Sequence, residues 1–204
     1  QLWADGPYWS IKNIGATNEY DPGYFFSWGN TIGYVHDSAI NQWKVAPGYP
    51  NAGTVWNGGF NLNNYLGTHG QSLQRSLQAN AADDAAVAAW GSDWRMPTKA
   101  EVDGFDGNIT STLSADAKYM KVNGKGDFIN DYIILPIAGL GNDNTNQETQ
   151  AHWSWTSTFS QRSGTVNKSY QMLVSKKYPT PHPVISVVST YGMNIRPVLT
   201  NTDF

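Results

Sequence analysis

Trp90-Gly91-Ser92-Asp93-Trp94-Arg95-Met96-Pro97-Thr98-Lys99-Ala100-Glu101 is the stretch on which the reading of the fold turns. Thr98 and Glu101 stand in the Thr-x-x-Glu spacing of a capping box, in which a hydroxyl and a carboxylate each satisfy a backbone N–H at a helix start. Pro97 stops any earlier helix from running into this one, because a residue before proline is pushed out of the helical region. A short helix is therefore expected from Thr98, ending near Gly104. Upstream, Leu73, Leu77, Ala81, Ala85, Ala88 and Ala89 recur at steps of three and four between Gln71 and Trp90, with no Gly or Pro among the good helix formers. That spacing predicts one helix, or two with a break near Asn80.

Beyond Gly107 the pattern changes to strands. Lys118 to Val122, a turn at Asn123-Gly124, and the apolar run Tyr132 to Gly139 read as hairpin elements. An Asn-rich loop over Gly141 to Gln150 separates them from Trp153 to Thr158, Tyr170 to Val174, Val184 to Val188 and Ile195 to Leu199. On the other side, Leu2-Trp3 and Trp9 to Ile14 read as short strands and Tyr24 to Gly29 as an extended piece. Residues 33–70, with Pro47, Pro50 and Asn-Gly signals, read as a long ordered loop. Strands, two helices and many antiparallel strands predict a loop-rich α+β fold, with two helices packed on short antiparallel sheets.

The composition fits one folded domain over residues 1–204: 40% hydrophobic residues, 14% charged, and nine Trp and eleven Tyr to fill a core. A net charge of -3 and scattered basic residues, of which Lys176-Lys177 alone are adjacent, give no footprint for nucleic acid. The absence of cysteine removes thiol nucleophiles, thiolate metal sites and disulfides together. No apolar run approaches bilayer-spanning length and the N-terminus carries no basic-then-apolar leader, so membrane insertion is not expected.

Several segments, taken in order, resemble the bacterial branch of the C-type lectin fold, which includes formylglycine-generating-enzyme-like domains and the Fibrobacter-type paralogous domain. They are Leu2-Trp3-Ala4, Asn13 to Thr17, Gly23 to Gly29, Asp84-Ala85-Ala86 with Trp90-Gly91, Trp94 to Glu101, Leu135 to Gly139, Trp155 to Thr158 and Ile195 to Val198. The resemblance implies a C-type lectin fold across nearly the whole chain. Arg95 and Arg196 beside their prolines read as structural donors to backbone carbonyls rather than ligand clamps.

Fold does not give function. Formylglycine-generating enzymes work through cysteines, which this chain lacks, and related sulfoxide synthases hold iron through histidines. His36, His69, His152 and His182 lie far apart without ligand spacing. Asn57-Gly58-Gly59-Phe60 lacks the lysine and helix of a phosphate loop. Asp83-Asp84 reads as part of a solvated helix face, and Asp103 and Asp106 carry no clearer signal. The Glu-Pro-Asn or Gln-Pro-Asp and Trp-Asn-Asp triplets of calcium-dependent lectins are missing. No cofactor is expected, apart from a structural calcium ion that the Asn142-Asp143-Asn144 loop could hold. The chain reads as a non-enzyme.

Trp155 to Val198 resembles the variable region of proteins diversified by retroelements, such as phage tropism determinants. Trp155 to Thr158, Tyr170, Met172, Val174, Gly192 and Ile195 to Val198 match its fixed positions. Mutation at adenines turns Asn codons into many others but never into Lys, Gln, Glu, Met or Trp, and none of these five occurs from Tyr178 through Gly192. Pro179, Pro181 and Pro183 suit an edge or loop rather than a central strand. Residues 155–198 are thus the candidate ligand-binding region. The expected contacts are Trp155, Phe159, Tyr178, Thr180, His182, Ser186, Ser189, Thr190 and Tyr191, with aromatic rings as anchors and hydroxyls as adaptable partners. This implies a receptor-binding or adhesion protein of a cell or virion surface, meeting a protein or glycan on a target cell, its oligomeric state open. A non-diversified surface adhesin, or an enzyme with an unrecognised site, is the alternative.

Overall fold

A computed structural model of the protein describes residues 1–57, 59–60, 75–77, 81–147, 149–163 and 166–200, with the backbone alone at 162–163, 166 and 185–187. The expected helix over Gln71–Trp90 is short where it is described. A 3-10 turn at Ala81–Asp83 leads to α1, Ala85–Trp90; Leu73 and Asn80 lie outside the described residues. Asp84 starts α1 by accepting from the Ala86 and Val87 N–H groups at 2.8 and 3.4 Å, and Gly91, at φ 89°, stops it after six residues. The second carboxylate oxygen of Asp84 accepts from Met96 N at 2.9 Å. Asp83 and Asp84 are both buried, which corrects the reading of a solvated pair.

The capping box forms as the spacing predicts. Thr98 and Glu101 exchange their bonds at the start of α2, Lys99–Asp103, with Gly104 as its C-cap. Arg95 adds a two-pronged contact to Glu101, at 2.9 and 2.6 Å. Burial pushes the Glu101 carboxyl up, but the Arg95 guanidinium and the Thr98 donors outweigh burial and hold it below the usual range.

The strands are β1 (Tyr34–Asp37), β2 (Gln42–Val45), β3 (Trp94–Arg95), β4 (Ile109–Leu113), β5 (Tyr119–Gly124), β6 (Tyr132–Pro136), β7 (Leu140–Asn142), β8 (Thr145–Gln147), β9 (Ala151–Ser163), β10 (Val166–Ser175), β11 (His182–Val188) and β12 (Val198–Leu199). Among the described residues they form small antiparallel sheets: the pairs β1-β2, β12-β3 and β7-β8, and the three-stranded orders β4-β5-β6 and β11-β10-β9.

This architecture overturns the α+β expectation. The chain is mostly β, 39% strand against 10% helix, and two short helices among the described residues are too little to form a layer on the sheets, so the C-type lectin arrangement predicted from the resemblance is not supported. The reason is local: both helices are closed by a glycine within two turns, while β9 and β10 run for 13 and 10 residues.

The β9-β10 ribbon is buried on both faces. Trp153, Trp155 and Leu173 pack with Phe26, Trp28, Ala86 and Met193 on one side. Met172 and Val174 join Leu2, Trp9, Phe105, Val122 and Leu135 on the other. A third cluster of Phe25, Tyr34, Trp43 and Phe60 lies beside the β1-β2 hairpin. Arg196 is fully buried and donates to Ser10 O at 3.0 Å and to Ile134 O, the structural role its sequence context predicts. Among the described residues no helix is long and apolar enough to cross a membrane.

Candidate functional site

The candidate region begins in a bulge. Between the pairs Ser169–Phe159 and Gln171–Trp155, β9 carries more residues than β10, so Thr156 to Thr158 leave the regular ladder. Their polar groups are put to structural use. The Ser157 N–H and hydroxyl both donate to Pro97 O, at 2.7 and 3.1 Å, and Thr158 Oγ1 accepts from Lys99 N at 2.9 Å, which ties the bulge to the start of α2. Trp155 is 0% exposed and donates its indole N–H to Phe26 O at 2.8 Å. It therefore cannot meet a ligand from solvent, and the expectation that it is a contact is corrected. Phe159 is half-buried against Trp28, ring centres 6.1 Å apart.

The other end of the expected patch is also enclosed. Ser189 and Thr190 are buried; the Ser189 hydroxyl meets the Ser169 hydroxyl at 3.0 Å, and Thr190 O accepts from the Ser27 hydroxyl at 2.9 Å. Tyr191 packs against the same core as Trp155. These three residues hold the return of the chain to the scaffold rather than a solvent-facing surface. Ser186 occupies a second register shift, on the edge strand β11 opposite Ser169 and Tyr170, and its side chain lies outside the described residues.

What the structure does bring together is the turn between β10 and β11. Tyr178 is 45% exposed and its ring meets the His182 ring edge-on at 5.4 Å. His182 Nδ1 lies 3.0 Å from Thr180 O, and Lys177 Nζ lies 5.1 Å from the Tyr178 ring centre. The turn is fixed by bonds to its backbone. Ser175 N donates to Tyr178 O at 2.9 Å, Tyr178 N donates to Ser175 Oγ at 3.2 Å, and the Ser111 hydroxyl donates to Pro179 O at 2.6 Å. Pro183 sits on β11, whose outer edge has no partner strand among the described residues, so the N–H it lacks need not be supplied to a ladder there.

Two concavities flank this turn. On one side Tyr178, Thr180 and His182 face Val102, Asp103 and Asp106 across a cleft of about 540 Å³. On the other a groove of about 980 Å³ runs from Tyr178 and Lys177 over Leu173 and Trp153 to Gln150. Sequence reasoning missed the second groove. Its one legible signal is the Lys176-Lys177 pair, the sole adjacent basic residues of the chain.

The strongly shifted titratable groups lie elsewhere. Burial lowers the His152 imidazole to about 3; it is wedged between Pro136 O and the Ser154 hydroxyl, at 2.9 and 3.1 Å. Burial also lowers Arg196 to about 9. His36 lies 3.1 Å from Asn144 O, and His69 is outside the described residues. The Asn142-Asp143-Asn144 loop is the β7-β8 turn, in which the Asn142 amide donates to Gln147 Oε1 at 3.2 Å. Among the described residues no three His, Asp or Glu side chains gather as a metal site. Compared with models of known protein families, with curated proteins and with solved structures, the chain matches none of them.

Proposed function

We propose that the chain is a ligand-binding protein of a cell or virion surface, a variable protein diversified by a retroelement, whose recognition surface centres on the turn at Tyr178, Thr180 and His182. The observation that carries this reading is how the turn is held. Bonds from Ser175 and Ser111 to backbone atoms of Tyr178 and Pro179 fix it, and exchanging the side chains of Tyr178, Thr180 or His182 removes none of these, only the contact of His182 Nδ1 with Thr180 O inside the turn. The ribbon beneath is buried on both faces and does not depend on the turn for its packing. A surface free to vary on a support that is not is what diversification requires.

The partner is a protein or glycan of a target cell, met by the exposed Tyr178 ring as anchor, with the Tyr178–His182 pair flanked by concavities on both sides. Asp84, Glu101, His152 and Arg196 are each engaged in the scaffold and line neither concavity, so the surface around the turn is free of their structural duties.

Sequencing the neighbourhood of the gene tests the proposal. A nearby repeat matching the codons for 155–198 and differing at adenines, beside a reverse transcriptase, is the expected result. Its absence sinks the diversified reading in favour of a fixed adhesin.

A further inference from the structure

The groove on the Leu173 side of the turn has chemistry of its own. Its floor is apolar: Ala151, Trp153 and Leu173 come from the face of β9 and β10 that continues into the core. Its rim is cationic. Lys176 and Lys177 are exposed, and among the described residues neither forms an ion pair and no carboxylate lines the groove. Tyr178 closes one end, with Lys177 beside its ring. At about 980 Å³ the space is at the upper end of what small-molecule sites occupy.

An apolar floor excludes a strongly hydrated ion as occupant, because stripping its water there would go uncompensated. Two ammonium groups with no ion pair among the described residues disfavour a cation and favour an anionic head at the rim. We infer that the groove binds a small amphipathic anion, an alkyl or aryl carboxylate whose apolar body lies on Trp153 and Leu173 and whose head meets Lys176 and Lys177. The inference does not rest on diversification of the turn. Apart from Tyr178, the residues it uses lie outside the Tyr178–Gly192 run, and a missing genomic repeat leaves it standing.

Isothermal titration of the full chain with decanoate tests it, with decyltrimethylammonium as the matched cation. K176Q/K177Q is the paired variant, since both side chains are exposed and neither forms an ion pair among the described residues; a circular dichroism melt coinciding with that of the wild type establishes its folding. The expected result is saturable one-to-one binding of decanoate, weakened at least tenfold in K176Q/K177Q, with the cation bound no better than decanoate is by the variant. Three results would overturn it: no saturable binding of decanoate, equal affinity in wild type and variant, or equal affinity for the two head groups. Tighter binding of an acetylated Asp-Phe-Asp-Asp peptide than of decanoate would assign the groove to a protein segment and overturn it as well.

Discussion

Gly141 and Gly192 exchange two backbone hydrogen bonds, 2.7 Å from Gly141 N and 2.9 Å from Gly192 N, and the Phe60 ring lies against both residues. A Cβ would come within 2.4 Å of that ring at Gly141 and 2.3 Å at Gly192. The place where the candidate region rejoins the scaffold is thus fixed by a fully buried aromatic ring that leaves no room for a side chain at either position.

Gly192→Ala should destabilise the protein by about 1–3 kcal/mol, the usual range for forcing atoms into a packed core. Phe60→Leu should also destabilise, but the two together should cost less than their sum, since the smaller residue vacates the space the new methyl needs. Urea unfolding of the four proteins measures the coupling. Strict additivity would mean that Phe60 does not set the requirement for glycine.

Trp155 and Tyr178 should separate cleanly. Trp155→Ala empties a fully buried site and leaves Phe26 O without its donor, a loss of about 3–5 kcal/mol. Tyr178→Ala should stay within about 0.5 kcal/mol of wild type, as is usual at an exposed position. Guanidinium denaturation followed by tryptophan fluorescence compares the two. Similar losses would make Tyr178 part of the core.

Thr98→Ala removes one half of the capping box and should cost about 1 kcal/mol. Because α2 also holds the β9 bulge through Lys99 N and Thr158 Oγ1, hydrogen exchange should accelerate at Ser157 as well as in the helix. Faster exchange confined to Lys99–Asp103 would show that the two are independent.

Acid should weaken the fold first through His152. Its folded value, about 3, lies below its ordinary value of 6.5, so the unfolded chain takes the proton first. The contribution is complete above pH 6.5 and is lost as pH falls from there towards 3, at up to about 1.4 kcal/mol per pH unit. Glu101, also held low, begins to add its own loss as pH falls below its ordinary value of 4.5. Stability measured at pH 7, 6 and 5 should fall in the wild type and fall less steeply in His152→Gln, whatever its absolute stability. Parallel slopes would contradict the assignment.

The short-range signals in the sequence translated well where they were chemical. The Thr98–Glu101 box and the donors of Arg196 both form, because each depends on a few residues placed by the chain itself. Longer-range features did not translate. Asn123-Gly124 reads as a hairpin turn but lies inside β5; Gly124 is there because Leu2 O and Phe128 Cβ each come within 2.5 Å of where its Cβ would be. The 33–70 loop hides the β1-β2 hairpin, where Asp37 Oδ1 accepts from Ala39 N at 3.0 Å and Asn41 takes φ 50°. Trp155, Ser189 and Thr190 have the composition of a contact surface, and Asp84 that of a solvated face. Burial of all four is settled by segments distant in sequence, Phe26, Ser27 and Ser169 among them, which no local pattern announces.

The most direct test is to sequence codons 151–200 of this gene from many isolates of one population. The account predicts amino-acid changes concentrated at adenines in the codons for Tyr178, Thr180 and His182, with Trp155, Gly192 and Arg196 invariant. Changes spread evenly across both groups, or confined to synonymous sites, would contradict it.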